Sequence, residues 1–507
     1  MKRLLTLFWL SVLITMPLLA QHEPPAFIKD SLDTYVKRAI GRWQIPGAAV
    51  AIVKDGQVVV AKGYGVRELG GREAVDANTL FMIGSNTKAF TATALAMLEQ
   101  DKKLSLDDAV IRWLPDFRLY DPWVTREATV RDLLSHRLGF ETFQGDFMYF
   151  DSDLSAQQVR EKFGQVKPLY SFRSRWGYTN AAFLTAGEII PRADGRSWAA
   201  FMRERIFQPL GMRNTLALST EITAASNKGA AHTIVHGQLR KIPYGNIDAL
   251  APAGSIVSSA NDLVRWVTAL LDEGKHDGKE VIPPMAIRET RTPQSIQGNG
   301  GHMYNKSHFS LYGLGWGLSE YAGRKVVSHT GGVNGFVTSV CLIPEEKLGI
   351  IVLTNTDANW LYEALRNEIE DAYLGLPYRG YERVFHEYYE KQQAEGEALH
   401  RARMDTVSRH PSMPLPLSAF VGDYRDAVYG AMTIRLEQNK LIARFEHHKG
   451  RHAVLEPLGN NRFLATFNDP LYGENVWPFV LSGGVVKSIT VRVSDFVEFT
   501  PYEFVKN

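Results

Sequence analysis

Apolar residues dominate 48–53 and 58–61, and between them stands Asp55-Gly56, a pair suited to a two-residue turn. The pattern predicts a β-hairpin over 47–64. Beyond it, 86–100 is dense in Ala and Leu and free of Gly and Pro, which predicts a helix. Its apolar positions run most of the way round, so this helix is expected to be buried on all sides. Helical patches then dominate 109–271, clearest at 130–134, 181–190, 197–206 and 261–271. Strand-like runs return at 325–328, 336–343 and 350–354, the last two joined by a turn over 344–349. Strands at both ends with helices between them predict an α+β fold. One antiparallel sheet, closed by segments distant in the chain, is flanked by helices and carries a helical subdomain.

A charged stretch rich in Glu, Gln, Ala and Arg, 382–404, reads as a solvated helical connector, and Pro411, Pro414 and Pro416 mark a boundary after it. From 417 the period changes to two. Met432, Ile434 and Leu436 alternate with Thr433, Arg435 and Glu437, and strand-like runs follow at 463–467, 479–481, 489–493 and 496–499. This predicts a small all-β barrel or sandwich. With 507 residues, too many for one ordinary core, the chain divides into 1–20, 21–381, 382–416 and 417–507: leader, main domain, connector and β domain.

Residues 1–20 carry Lys2 and Arg3, an apolar stretch over 4–19 interrupted by Pro17, and Ala20 where a cleavage point would fall. This is the pattern of an export signal, which places the protein in the periplasm or outside the cell. A retained membrane anchor is the alternative, but the run is short for a span. No stable membrane span is expected after cleavage. The 57 Lys+Arg and 55 Asp+Glu nearly balance, so no basic footprint for nucleic acid exists. The single cysteine, Cys341, excludes an internal disulfide and reads as a buried small hydrophobe within a strand.

Three short elements carry candidate chemistry. In Gly84-Ser85-Asn86-Thr87-Lys88, the serine sits where the buried helix begins, and the lysine follows one turn later on the same face. A serine hydroxyl needs a nearby base to become a nucleophile, and a lysine with a lowered pKa can be that base. The free N–H groups of the helix start favour developing negative charge. An N-cap serine with a surface lysine has the same spacing, but Lys88 opens an otherwise apolar helix. Tyr178-Thr179-Asn180 precedes the helix from 181. Its tyrosine can shuttle a proton, and its asparagine can hydrogen-bond a substrate amide and the lysine. His329-Thr330-Gly331-Gly332 is expected at the end of the strand over 325–328, where small residues let a substrate lie against a strand edge. Gly332 and Ser85 could supply the two backbone N–H groups for an oxyanion. Each element alone is also explained by caps and turns. His447, His448 and His452 cluster in the β domain without an acidic or cysteine partner pattern and are read as surface residues; no metal is expected. Gln144 is a further candidate to line the cleft.

The order and separation of these elements resemble the penicillin-recognising serine hydrolases. Thr129-Val130-Arg131-Asp132-Leu133-Leu134-Ser135-His136, Gln208-Pro209-Leu210-Gly211-Met212, Pro252-Ala253-Gly254-Ser255, Tyr312-Gly313-Leu314-Gly315-Trp316-Gly317 and Leu353-Thr354-Asn355 add to the likeness. Residues 27–376 are similar to class C β-lactamase-type proteins, a group that includes D-stereospecific peptidases and family VIII esterases. The tail from 417 resembles the lipocalin-like β domain that follows such catalytic domains. The resemblance implies Ser85 as nucleophile, Lys88 as base and Tyr178 as proton shuttle. It implies Asn180, His329 and Thr330 as substrate contacts, the amides of Ser85 and Gly332 as oxyanion hole, and no cofactor. Members that recognise penicillin usually carry lysine where this chain has His329. A mostly neutral histidine holds a carboxylate less well, which favours a neutral ester, amide or peptide-like substrate. β-Lactamase or D-Ala-D-Ala peptidase activity is the alternative. A catalytically silent binding or sensor protein is the alternative of another class. The oligomeric state is left open.

Overall fold

The computed structural model describes residues 23–304 and 307–507; the export signal read at 1–20 lies outside them. Two bodies of secondary structure follow one another. The first is built on an eight-stranded antiparallel sheet. Its spatial order is Gln57–Gly65, Gly47–Lys54, Leu348–Thr354, Phe336–Ile343, Arg324–Val333, Gly317–Tyr321, Phe309–Tyr312 and Ser295–Asn299. The early hairpin forms as expected. Asp55 and Gly56 both take positive φ, 52° and 76°, the geometry a two-residue turn between right-twisted strands requires. The sheet is closed by distant segments, because Ala48 pairs with Thr354 and Lys54 with Leu348.

Strands Gly47–Lys54, Leu348–Thr354 and Phe336–Ile343 are buried on both faces, which explains their unbroken apolar runs. One face packs against helices Leu32–Arg42 and Leu361–Tyr373. The other packs against Ala260–Leu271 and the helical subdomain, whose central member is Thr87–Gln100. Every residue of that helix from Thr87 to Leu98 is buried, as its all-round apolar pattern predicts. The helical region also contains a hairpin, Ala231–Val235 with Gln238–Ile242, that its weak alternation did not announce.

The connector is a 28-residue helix, Tyr381–Ser408, longer than 382–404, and only its first two residues are buried. The second body is a closed eight-stranded barrel, in which Tyr424 and Arg425 of the first strand pair with Lys506 and Val505 of the last. Met432 and Ile434 point inward as predicted, whereas Leu436 is exposed. The interior is filled by rings packed edge to face: Phe420, Phe463 and Phe479 have centroids 4.9–5.2 Å from one another.

Three expectations are corrected. His329-Thr330-Gly331-Gly332 does not follow the strand but lies within it, since Arg324–Val333 is continuous. The strand over 496–499 is a loop, and the closing strand is Tyr502–Lys506. His448 is not a surface residue; it is buried against the ring of Phe147.

Candidate active site

Ser85 sits in a single tight turn, Gly84–Asn86, that leads directly into helix Thr87–Gln100. Two glycines make this turn possible. Gly84 has φ +51°, and a Cβ there would lie 3.0 Å from the Gly332 nitrogen. A Cβ on Gly331 would lie 1.8 Å from the Ile83 carbonyl oxygen. The strand carrying His329 to Gly332 therefore presses against the serine turn, and the Gly332 amide stands beside it. Gly331→Ala is expected to lower stability by about 2–3 kcal/mol, read from urea denaturation midpoints, because neither backbone can yield.

Lys88 is fully buried. Its Nζ lies 3.1 Å from Ser85 Oγ, 2.6 Å from Asn180 Oδ1 and 2.8 Å from the Ala253 carbonyl oxygen. Burial pulls its pKa down from 10.5 to about 7, with Asp146 opposing the shift. The Pro252-Ala253-Gly254-Ser255 stretch thus has a local task, holding the lysine through the Ala253 carbonyl. Tyr178 is buried, its ring 4.7 Å from Lys88 Nζ. Burial pushes its phenol well above 10, and a hydrogen bond with Ser85 opposes that. The three side chains of the two separate elements are brought together.

Asn180 turns inward. Its Oδ1 accepts from Lys88, and its Nδ2 donates to Asp146 Oδ2 at 2.6 Å. Its amide is engaged by the protein on both ends, although one edge still lines the cleft. His329 is nearly buried. Its Nδ1 lies 2.6 Å from the Thr330 carbonyl oxygen, so Nδ1 carries the proton. Nε2 then accepts from the Tyr312 hydroxyl at 3.1 Å. Burial, and then the charge of Lys88, lower its pKa to about 3, which leaves the ring neutral. Thr330 and Gly332 face outward from the same strand. Gln144 does not reach the cleft; its side chain bonds the Lys167 carbonyl and the Glu141 amide.

Two neighbours were read from the sequence only as part of the Thr129–His136 stretch, with no role of their own. His136 accepts from the Thr179 N–H at 3.0 Å and packs 4.4 Å from the Tyr178 ring, which fixes the Tyr178-Thr179-Asn180 segment. Burial holds its pKa well below 6.5. Asp132, in a helix capped by Thr129, takes Arg137 and Arg173 and anchors the loop that leads to Tyr178. Ser85, Tyr178, Asn180, His329, Thr330 and Gly332 line one cleft of about 1350 Å³, together with Phe143 and, from the barrel, Phe496 and Phe499. His447, His448 and His452 lie outside it, with His447 bonded to Asp153.

The Beta-lactamase family profile matches residues 32–374, two thirds of the chain. The chain belongs to the beta-lactamase family. A domain of unknown function, DUF3471, matches residues 408–506. The Unguisins hydrolase ungD' of Aspergillus campestris is 30% identical over 428 residues, covering 80% of this chain and 77% of that protein. Penicillin-binding protein 4* of Bacillus subtilis is 26% identical over 369 residues, 68% of this chain and 76% of that one. The octameric penicillin-binding protein homologue from Pyrococcus abyssi shares the fold with a TM-score of 0.60 at 20% identity, over 94% of this chain and 99% of that one. This beta-lactamase family member is a serine hydrolase related to penicillin-binding proteins. No helix among the described residues is long and apolar enough to cross a membrane.

Proposed function

We propose that this family member is an exported hydrolase that cleaves a neutral ester, amide or peptide-like bond through an acyl-enzyme on Ser85. The catalytic unit spans 21–381, the connector 382–416 and the barrel 417–507. The observation that carries the reading is the approach of a fully buried lysine, with pKa about 7, to within 3.1 Å of the serine oxygen.

A neutral lysine amine has two N–H bonds and one lone pair. Asn180 Oδ1 and the Ala253 carbonyl can only accept, so they take both N–H bonds. The lone pair is then left for the proton of Ser85. Tyr178, kept as a phenol by burial, relays protons and does not act as the resting base. In acylation the Ser85 proton passes to Lys88 as Oγ bonds to the substrate carbonyl carbon. The N–H groups of Ser85 and Gly332 receive the oxyanion. The tetrahedral adduct collapses, the bond to the leaving group breaks, and that group takes the proton from Lys88 through Tyr178. A water then attacks the acyl carbon and gives its proton to the same base; the C–Oγ bond breaks, Ser85 Oγ takes that proton from Lys88, and the acid is released.

His329 supports the choice of a neutral substrate. A ring held neutral by burial, with both nitrogens engaged, offers no positive charge to a carboxylate. The aromatic wall of Phe143, Phe496 and Phe499 supports an apolar group beside the scissile bond. The relation to a hydrolase of unguisins and to a penicillin-binding protein agrees with acyl transfer on a peptide-like substrate. The test is a panel of short p-nitrophenyl esters, D- and L-aminoacyl amides and β-lactams, each with a matched carboxylate-bearing analogue. Neutral members are expected to turn over at least tenfold faster, by kcat/KM, than their carboxylate partners. Faster turnover of the carboxylate partners, or a durable penicillin adduct on Ser85, would replace this reading with a penicillin-directed one.

A further inference from the structure

The barrel does not merely follow the catalytic unit; it grips one of its loops. Phe147 extends from the segment that carries Asp146 and is buried among barrel rings. It stacks on His448 at 4.3 Å and on Tyr502 at 5.6 Å, and meets Phe445, Tyr472 and Tyr429 within 5.9 Å. Its backbone is held on both sides. The His448 Nε2–H donates to the Phe147 carbonyl at 2.8 Å, and the Phe147 N–H donates to Glu498 Oε2 at 3.0 Å. Glu498 Oε1 accepts from the Gly145 N–H at 2.8 Å and from the Tyr429 hydroxyl at 2.7 Å. Glu498 is fully buried, so these bonds are not shared with water. Further along, the Tyr472 hydroxyl donates to the Phe150 carbonyl, and His447 pairs with Asp153.

Asp146 lies between the two amides that Glu498 holds. Its carboxylate fixes the Asn180 side chain, and Asn180 receives Lys88. Hydrogen bonds joined by the 145–147 backbone therefore link the barrel to the lysine. We propose that the barrel is an intramolecular socket: Phe147 and Glu498 are positioning residues that hold the 145–147 loop so that Asp146 and Asn180 orient Lys88 toward Ser85. The barrel interior serves the active site and is not a ligand calyx. This inference rests on the acyl-enzyme reading above.

Glu498→Gln distinguishes holding from packing. It keeps the volume but puts an NH2 group opposite one of two N–H donors, so one loop amide loses its acceptor. Phe147→Ala empties the socket, and Phe147→Leu keeps an apolar plug. Each full-length protein is measured for the rate of Ser85 labelling by a fluorophosphonate, for kcat and KM on p-nitrophenyl acetate, and for amide hydrogen exchange over 143–153. The expected result is a labelling rate and kcat at least tenfold lower in Glu498→Gln and Phe147→Ala, with KM within twofold, faster exchange over 143–153, and partial recovery in Phe147→Leu. If Glu498→Gln does not fold, Tyr429→Phe removes one of its supports and takes its place. Labelling within twofold of wild type in the folded variants overturns the proposal, as does unchanged exchange. Absence of Ser85 labelling in the wild-type protein overturns the acyl-enzyme reading instead, and the exchange data still decide whether the barrel holds the loop.

Discussion

Replacing Ser85 by alanine is expected to lower kcat by on the order of 10⁴-fold or more while leaving the fold intact. The side chain is small, partly buried and at the cleft surface, so its loss opens no core cavity. Its hydroxyl meets Lys88 and Tyr178, and the lysine keeps Asn180 and Ala253 as partners. Unfolding midpoints should therefore agree with wild type to within about 0.5 kcal/mol. The decrease in kcat is large because the covalent route is lost altogether. What remains is the binding and polarisation that the cleft and its N–H groups give to attack by water. A single-turnover assay with a p-nitrophenyl ester checks this: wild type gives a burst of nitrophenolate and the variant none. A variant with near-normal turnover would remove Ser85 from the reaction.

The serine-lysine pair was legible because its geometry is local. One helical turn brings i and i+3 together whatever the rest of the chain does. The meeting with Tyr178 is not local, and only the resemblance pointed to it. The strand-like run of the sequence ends at 328, so His329-Thr330-Gly331-Gly332 reads as the strand's end although the strand continues through it. The reason for glycine is tertiary, the contact of Gly331 with the Ile83 carbonyl, and no single-sequence signal carries it. Asp146 was invisible for a related reason. It lies in an aperiodic loop, and its role depends on Asn180 from one side and on barrel amide partners from the other. Residues 496–499 read as a strand because three of the four are apolar, but the loop places them for separate tertiary reasons: Phe496 and Phe499 face the cleft, Val497 is buried, and Glu498 reaches the 145–147 loop.

Lys88→Met should abolish turnover and shift stability with pH in a direction fixed by sign. The loss of kcat is expected to reach on the order of 10³-fold or more, since thioether and water are both poor replacements for an aligned amine. In the wild type the amine is the base only when neutral, so kcat/KM should rise with pH through about 7 and level off above it. The lowered pKa also means that the folded protein binds its lysine proton less readily than the unfolded chain does. Between about pH 7 and the ordinary lysine value of 10.5, the unfolded state holds more protons, so wild-type stability falls as pH falls across that window. Below about 7 both states are protonated and the full cost of burying the cation is present. Methionine has similar bulk and no charge, so the variant lacks this term. It loses the hydrogen bonds to Asn180 and Ala253 at every pH, which is a constant cost. The difference in unfolding free energy, variant minus wild type, should therefore move in the variant's favour by a few kcal/mol between pH 10 and pH 7. Urea melts at those two values measure it. A difference that stays flat with pH would mean that the lysine is ordinary in the folded state, and with that its fitness as the base at Ser85 is gone.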